Sequence, residues 1–201
     1  MNDYDAITDL CERVGIDPPE GWAGYFDLAK QWGARTDLTS ARTDAELAEI
    51  LFLDAAFVIA AEWCGAGTSL VDVGAGVGAP SIPILLSDES LTGTLVEPRR
   101  IRTAFLRTAA GALGIGRRTR MLEQRVEPKR PELDGAPFDI ALSRATFSPA
   151  QWLPIGAQLA EEVWVLTAGA EPEASAEHVL VRSLNYNVPS SGAPRAILAY
   201  R

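Results

Sequence analysis

Residues 71–83 read VDVGAGVGAPSIP, three glycines at alternate positions followed by two prolines three apart. Val71 and Val73 flank Asp72 as a short apolar run of strand type would. Gly74 then allows a tight turn with positive φ. Gly76 carries no side chain to keep a ligand off the backbone, and Gly78 stands where the next helix would open close to the sheet. Pro80 and Pro83 are predicted in the first turn of that helix, where a missing N–H is tolerated, and there they would stiffen the junction. Strand, glycine loop and helix in this order belong at the carboxyl edge of a parallel sheet, in the crevice where such folds bind ligands.

The rest of the chain agrees with a parallel sheet. Short apolar runs recur at 69–73, 93–97, 119–123, 138–143 and 162–166, separated by segments of helical character at 80–88, 98–112 and 149–160. That alternation predicts parallel strands covered by helices on both faces. Two further strand-like runs, 178–186 and 195–201, are joined by the turn-rich NVPSSGAP and predict an antiparallel hairpin ending the sheet. Residues 1–64 read as helical, with Trp22, Phe26, Leu28, Ala29 and Trp32 at roughly helical spacing. Thr43 with Glu46 has the pattern of a capping box, opening a helix that runs to Ala61. The expected fold is α/β, a Rossmann-like class I methyltransferase layout. A helical extension, 1–64, precedes one compact ligand-binding domain, 65–201.

Dinucleotide sites use GxGxxG facing a pyrophosphate. Here the spacing is GxGxG, with Asp72 two residues before it and Glu97 closing the next strand. A carboxylate at that strand end can accept hydrogen bonds from both ribose hydroxyls. The pattern asks for a nucleoside and close backbone approach rather than a pyrophosphate, which fits S-adenosylmethionine.

Composition narrows the function classes. The chain of 201 residues has two cysteines, Cys11 and Cys64, in no CxxC, and one histidine, His178, so no zinc cluster and no metal site is expected. His178 and the tryptophans Trp22 and Trp32 are read as structural, and Thr39 as a helix cap. The acidic start, MNDYDAITDLCER, has no basic or apolar region of a signal peptide, and the apolar run 55–61 is far too short to span a membrane, so a cytoplasmic protein is expected. The net charge of −9 argues against nucleic acid taken alone. Residues 97–130, however, hold 10 basic side chains against 3 acidic ones. The segment 99–130 is therefore either a solvated face or an anion-facing patch.

Several stretches together resemble one family, the glucose-inhibited division protein B family: YFDLAKQWGARTDLTS (25–40), ILFLDAA (50–56), the glycine–proline loop, LVEPRRIRTAFLR (95–107), EQRVEP (123–128), DIALSRA (139–145) and PRAILAYR (194–201). The resemblance implies methylation of guanine N7 in 16S ribosomal RNA, with S-adenosylmethionine as donor, S-adenosylhomocysteine as product, and ribosomal RNA or the small ribosomal subunit as partner. It places the cofactor on Asp72, Gly74, Ala75, Gly76, Gly78, Glu97, Pro98 and Arg144, and the adenine beside Arg125, Val126 and Glu127. Ser143 and Arg144, after the fourth apolar run, are the expected catalytic residues. Arg144 could donate to guanine O6 or a phosphate and must leave N7 free; the alternative is that it pairs with a surface acid. N7 carries a lone pair and no proton, so the transfer needs alignment and no general base. The chain departs from the family pattern at Phe52, where a histidine is frequent, at Ala79, where an aromatic stands, and at Ala168-Gly169, where Lys-Gly is usual. Two other readings stay open on the residues alone: a methyltransferase of the same fold with a small-molecule or other non-ribosomal target, and a non-catalytic adenosylmethionine-binding module.

Overall fold

Each apolar run forms a strand in the computed structural model, which describes residues 4–168 and 177–201. β1 (Ser69–Val73), β2 (Thr92–Val96), β3 (Thr119–Leu122), β4 (Phe138–Arg144) and β5 (Ala160–Thr167) pair in parallel. β6 (Leu180–Asn187) and β7 (Pro194–Tyr200) form the terminal antiparallel hairpin. The order across the sheet is β3-β2-β1-β4-β5-β7-β6. The last strand in the chain is thus inserted beside β5, and β6 takes the edge. Burial explains the choice. Residues 196–200 of β7 are all buried, whereas β6 exposes most of its residues, so the apolar strand belongs inside.

Among the described residues six helices cover the sheet: α1 (Asp5–Val14), α2 (Trp22–Gly33), α3 (Asp44–Ala60), α4 (Ser81–Ser87), α5 (Arg100–Ala112) and α6 (Pro149–Gly156). Strand alternation divides the core. Leu70, Leu95, Leu142, Trp164 and Ile197 face the layer that holds α1–α5. Val71, Val73, Val96, Ala141, Val165 and Leu198 face α6. The helical extension shares the first of these cores: Trp22 stacks on Phe52 at 4.5 Å, and both are fully buried with Tyr25 and Phe26. Among the described residues, no helix is long and apolar enough to cross a membrane.

Two local expectations are corrected. Thr43 Oγ1 accepts from Glu46 N, but the Glu46 carboxylate reaches back to the N–H of Arg42 rather than Thr43, so the capping box closes one residue early. Thr39 caps no helix; its hydroxyl accepts weakly from Ala41 N in the loop before α3. Of the pair Ala168-Gly169, Gly169 lies outside the described residues.

At the end of the sheet remote from the glycine loop, a buried carboxylate staples the hairpin. Glu162 on β5 accepts from Trp164 Nε1 (2.9 Å), from Arg182 on β6 and from Arg201 (3.1 Å to Nε). Burial pushes the carboxyl up, yet those hydrogen bonds hold it below the ordinary glutamate range. Arg182 also lies over the Trp63 ring at 4.6 Å. Glu162→Ala strands two guanidinium groups and an indole N–H. It should cost about 2–3 kcal/mol and lower the calorimetric Tm by roughly 5–10 °C.

Candidate active site

The site begins where β1 ends. Asp72 is 1% exposed, and its carboxylate accepts from the Ser81 hydroxyl at 2.6 Å, at the start of α4. Burial pushes the Asp72 carboxyl up to about 7; Ser81 and Arg144 oppose this and Glu97 reinforces it. The chain then turns back under β2: the N–H groups of Gly74 and Ala75 both donate to the Val96 carbonyl. Glu97, 3% exposed, joins two segments. One carboxylate oxygen accepts from Gly76 N (2.9 Å) and the other from Arg99 N (2.8 Å), at the N-terminus of α5. An anion suits that end of a helix.

The three glycines do different things. A Cβ on Gly74 would fall 2.1 Å from Thr146 Oγ1, and one on Gly78 would fall 2.6 Å from Ile82 Cδ1. Both therefore permit close packing. Gly76, at φ +58°, would place a Cβ no nearer than 3.8 Å to anything. The surface above Gly76 is the open one, and it faces a cleft. This is the fit expected of a loop that holds a nucleoside: tight where it meets the protein, bare where a ligand approaches.

The cleft has a volume of about 760 Å³. One wall is Gly74, Ala75, Gly76 and Val77 with Arg102 from α5. Another comes from the helical extension: Asp37, Thr39 and Ser40 before α3, then Glu49, Ile50, Leu53 and Asp54 on it. The floor and far wall are Arg144, Ala145, Thr146 and Phe147 after β4, Ala168 after β5, and Tyr186, Val188 and Arg195 from the hairpin. Arg144 Nη1 donates to the Ile50 carbonyl (2.8 Å) and to Asp54 Oδ2 (2.9 Å). The Tyr186 hydroxyl donates to Asp54 Oδ1 (2.6 Å). Ala145 then turns the chain sharply at φ +58°, a left-handed conformation that costs a non-glycine residue about 1–2 kcal/mol. The turn brings Thr146 onto Gly74.

Of the residues expected from sequence, Gly74, Ala75, Gly76 and Arg144 line the cleft. Asp72, Gly78 and Glu97 lie beneath the loop and shape it. Pro98, Arg125 and Glu127 are exposed beyond β2 and β3, and Val126 is buried among Val71, Val73 and Val96; these four do not line the cleft. Ser143 is corrected: its buried hydroxyl donates to the Val73 carbonyl (2.7 Å), which ties β4 to β1 and leaves it outside the cleft. Arg144 pairs not with a surface acid but with Asp54, which is buried in the cleft wall. Phe52, in the position compared above with a histidine, is fully buried core. Tyr186 and Arg195 were not singled out, because nothing local distinguishes them from other hairpin residues; Asp54 was marked only by the resemblance.

The family model described as rRNA small subunit methyltransferase G matches residues 20–179. The chain belongs to this family. It is 32% identical to the ribosomal RNA small subunit methyltransferase G of Anaeromyxobacter dehalogenans strain 2CP-1, over 98% of this chain and 97% of that one. It is 32% identical to the protein of the same name from Myxococcus xanthus, over 85% and 82%. Solved structures share the fold. An S-adenosylmethionine-dependent methyltransferase from Thiobacillus denitrificans, in complex with S-adenosylhomocysteine, superposes with a TM-score of 0.60 at 10% identity, covering 88% of this chain and 97% of that chain. A putative RNA methyltransferase from Pyrococcus horikoshii gives 0.55 at 16% identity, covering 89% and 98%. By family, the chain is an S-adenosylmethionine-dependent methyltransferase with the class I layout expected from its strand pattern.

Two outcomes follow from the loop. Adenosylhomocysteine titrated calorimetrically should bind Gly76→Leu at least about a hundredfold more weakly, since the added side chain fills the open space of the cradle. Gly78→Ala should instead lose mainly thermal stability, because its Cβ has nowhere to go. The second outcome concerns Asp72, whose carboxyl is raised from 3.8 to about 7 in the fold. The stability it contributes is complete below about pH 4 and is lost as pH rises through 7. Asp72→Asn keeps an acceptor for Ser81 without the buried charge. It should be more stable than wild type at pH 8, on the order of 2–4 kcal/mol, with the difference closing toward pH 4 in thermal melts.

Proposed function

We propose that the chain methylates N7 of a guanine in 16S ribosomal RNA, as part of the small subunit or as free RNA, in the cytoplasm. The observation that carries this reading is the single cleft in which the bare backbone of Gly76 and the guanidinium of Arg144 meet. The cofactor brings a methyl group on a positively charged sulfur, ready for transfer to a nucleophile with the bonding electrons left on sulfur. The residues of this chain have only to bind, orient and exclude water.

Arg144 suits the acceptor side. One nitrogen is held by Asp54 and Ile50, so the rest of the planar group is presented in a set orientation. It can donate to guanine O6 and leave the N7 lone pair free. Its pairing with Asp54 has a second effect. Transfer moves a positive charge onto the purine, and an uncompensated arginine beside it would oppose that. The cleft wall also holds Asp37 and Glu49, so acids balance Arg102, Arg144 and Arg195.

The basic segment 99–130 divides into two sets. Arg118 donates to the Leu85 and Leu91 carbonyls and is structural, while Arg107, Arg120 and Arg130 pair with Glu123, Asp134 and Glu132. Arg99, Arg100, Arg125 and Lys129 have no such partners among the described residues, and they follow β2 and β3 at the carboxyl edge of the sheet, the edge that holds the cleft, whereas Arg117, likewise without such a partner, precedes β3 at the opposite edge. These four are the residues to meet phosphates. Arg102 lines the cleft beside Gly76 and does not belong with them.

The test is incubation with labelled S-adenosylmethionine and small ribosomal subunits, deproteinised 16S RNA or a set of small metabolites. Label in RNA, mapped to guanine N7, supports the reading; label only in a metabolite, or in nothing, overturns it. Reversing Arg99, Arg100 and Arg125 to glutamate should weaken RNA binding by about tenfold or more at low salt. It should also flatten the salt dependence by about one unit of slope per lost phosphate contact, with adenosylhomocysteine affinity unchanged.

A further inference from the structure

The helical extension reaches the underside of the glycine loop. Tyr25 on α2 is fully buried, and its hydroxyl donates to the Val77 carbonyl at 2.5 Å. Val77 lies between Gly76, the open cradle, and Gly78, whose N–H closes a turn onto the Ala75 carbonyl (2.7 Å). Burial pushes the Tyr25 hydroxyl well above the ordinary tyrosine range, so it stays a donor. Its ring packs edge-on against Phe52 of α3 and tilted against Phe105 of α5, which leaves it little freedom to turn away. The backbone at Gly76 and Val77 is thus tied twice: Glu97 accepts from Gly76 N, and Tyr25 donates to Val77 O. Two neighbouring glycines at positive φ make this a segment with many accessible conformations when such ties are cut.

We propose that Tyr25 is a positioning residue for the cofactor: through the Val77 carbonyl it holds residues 74–78 in the conformation that accepts the nucleoside. The assignment rests on the glycine loop being the S-adenosylmethionine site. The extension thereby sets cofactor affinity without touching the cofactor. The neighbouring Trp22 offers an internal comparison. It is equally buried on the same helix and also donates one hydrogen bond to a carbonyl, that of Pro83 in α4, which is outside the loop.

Tyr25→Phe removes one oxygen and keeps the ring packing; Trp22→Phe removes the other donor. Calorimetric titration with adenosylhomocysteine and amide hydrogen exchange of the unliganded protein are measured on wild type and both variants. Tyr25→Phe is expected to weaken adenosylhomocysteine binding roughly tenfold and to speed exchange of the Gly78 amide, while Trp22→Phe lowers Tm with affinity unchanged. With S-adenosylmethionine varied at saturating RNA acceptor, Tyr25→Phe should show a raised KM for S-adenosylmethionine with kcat within about twofold of wild type. Wild-type affinity and unchanged Gly78 exchange in Tyr25→Phe would overturn the assignment, as would equal loss of affinity in both variants, which would make the effect one of general stability. If wild type itself binds no adenosylhomocysteine, the cofactor site falls and the assignment with it, an outcome distinct from selective failure of Tyr25.

Discussion

One buried carboxylate, that of Asp54, holds the active face together. It accepts from Arg144 at the end of β4 and from Tyr186 on β6, while sitting on α3 of the helical extension. Three parts distant in the chain meet there: the parallel strands, the extension packed on them and the hairpin that completes the sheet. A carboxylate taken out of water is costly unless its oxygens are matched, and here each oxygen has its own donor. Phe57 stacks on the Tyr186 ring at 4.2 Å and closes the junction on its apolar side. The cleft is the space these parts leave between them. Its shape therefore depends on the junction more than on any single element.

The glycine loop is a second region where backbone groups are matched from outside. Its N–H groups go to Val96 and Glu97, its Val77 carbonyl receives Tyr25, and Thr146 fills the space over Gly74. Most of the loop is covered by protein, and what stays open, at Gly74 and Gly76, faces the cleft. That contrast gives a physical meaning to the alternation of glycines. Two of them let the protein come close to itself, and one lets a ligand come close to the protein. The fold thus spends its packing on rigidity around one bare patch, as preorganised binding demands.

Charge follows a similar division. An acidic chain with a basic segment reads at first as a contradiction in an RNA-modifying family. Arg118 resolves part of it by holding carbonyls at the end of α4 and β2, and three further arginines are neutralised by nearby acids. Exposed pairs of that kind add little stability, but they remove those charges from any long-range field. Four of the remaining cations, Arg99, Arg100, Arg125 and Lys129, follow β2 and β3 at the carboxyl edge of the sheet. A small number of well-placed arginines can thus serve a phosphate backbone on a molecule of net charge −9.

By itself the sequence determined the elements and their order. Apolar runs of strand length, separated by helical segments, are the pattern of parallel strands joined by helical crossovers and buried on both faces, so β1 to β5 were readable to within two residues. The glycine–proline loop pointed to the edge of the sheet where the cleft lies for the same local reason: positive φ and bare backbone are properties of the residues themselves. Other features required the tertiary structure. That β7 lies inside β6 was decided by which strand could be buried on both faces. Ser143 and Arg144 are adjacent in sequence and were read alike, yet alternation on β4 sends one hydroxyl to Val73 and the other side chain into the cleft. The roles of Tyr25, Asp54 and Tyr186 come from contacts with Val77, Arg144 and one another across 52, 90 and 132 residues of chain. Such pairings carry no periodicity or spacing to be read in advance, because they arise only when long-range packing has brought the partners to hydrogen-bonding distance.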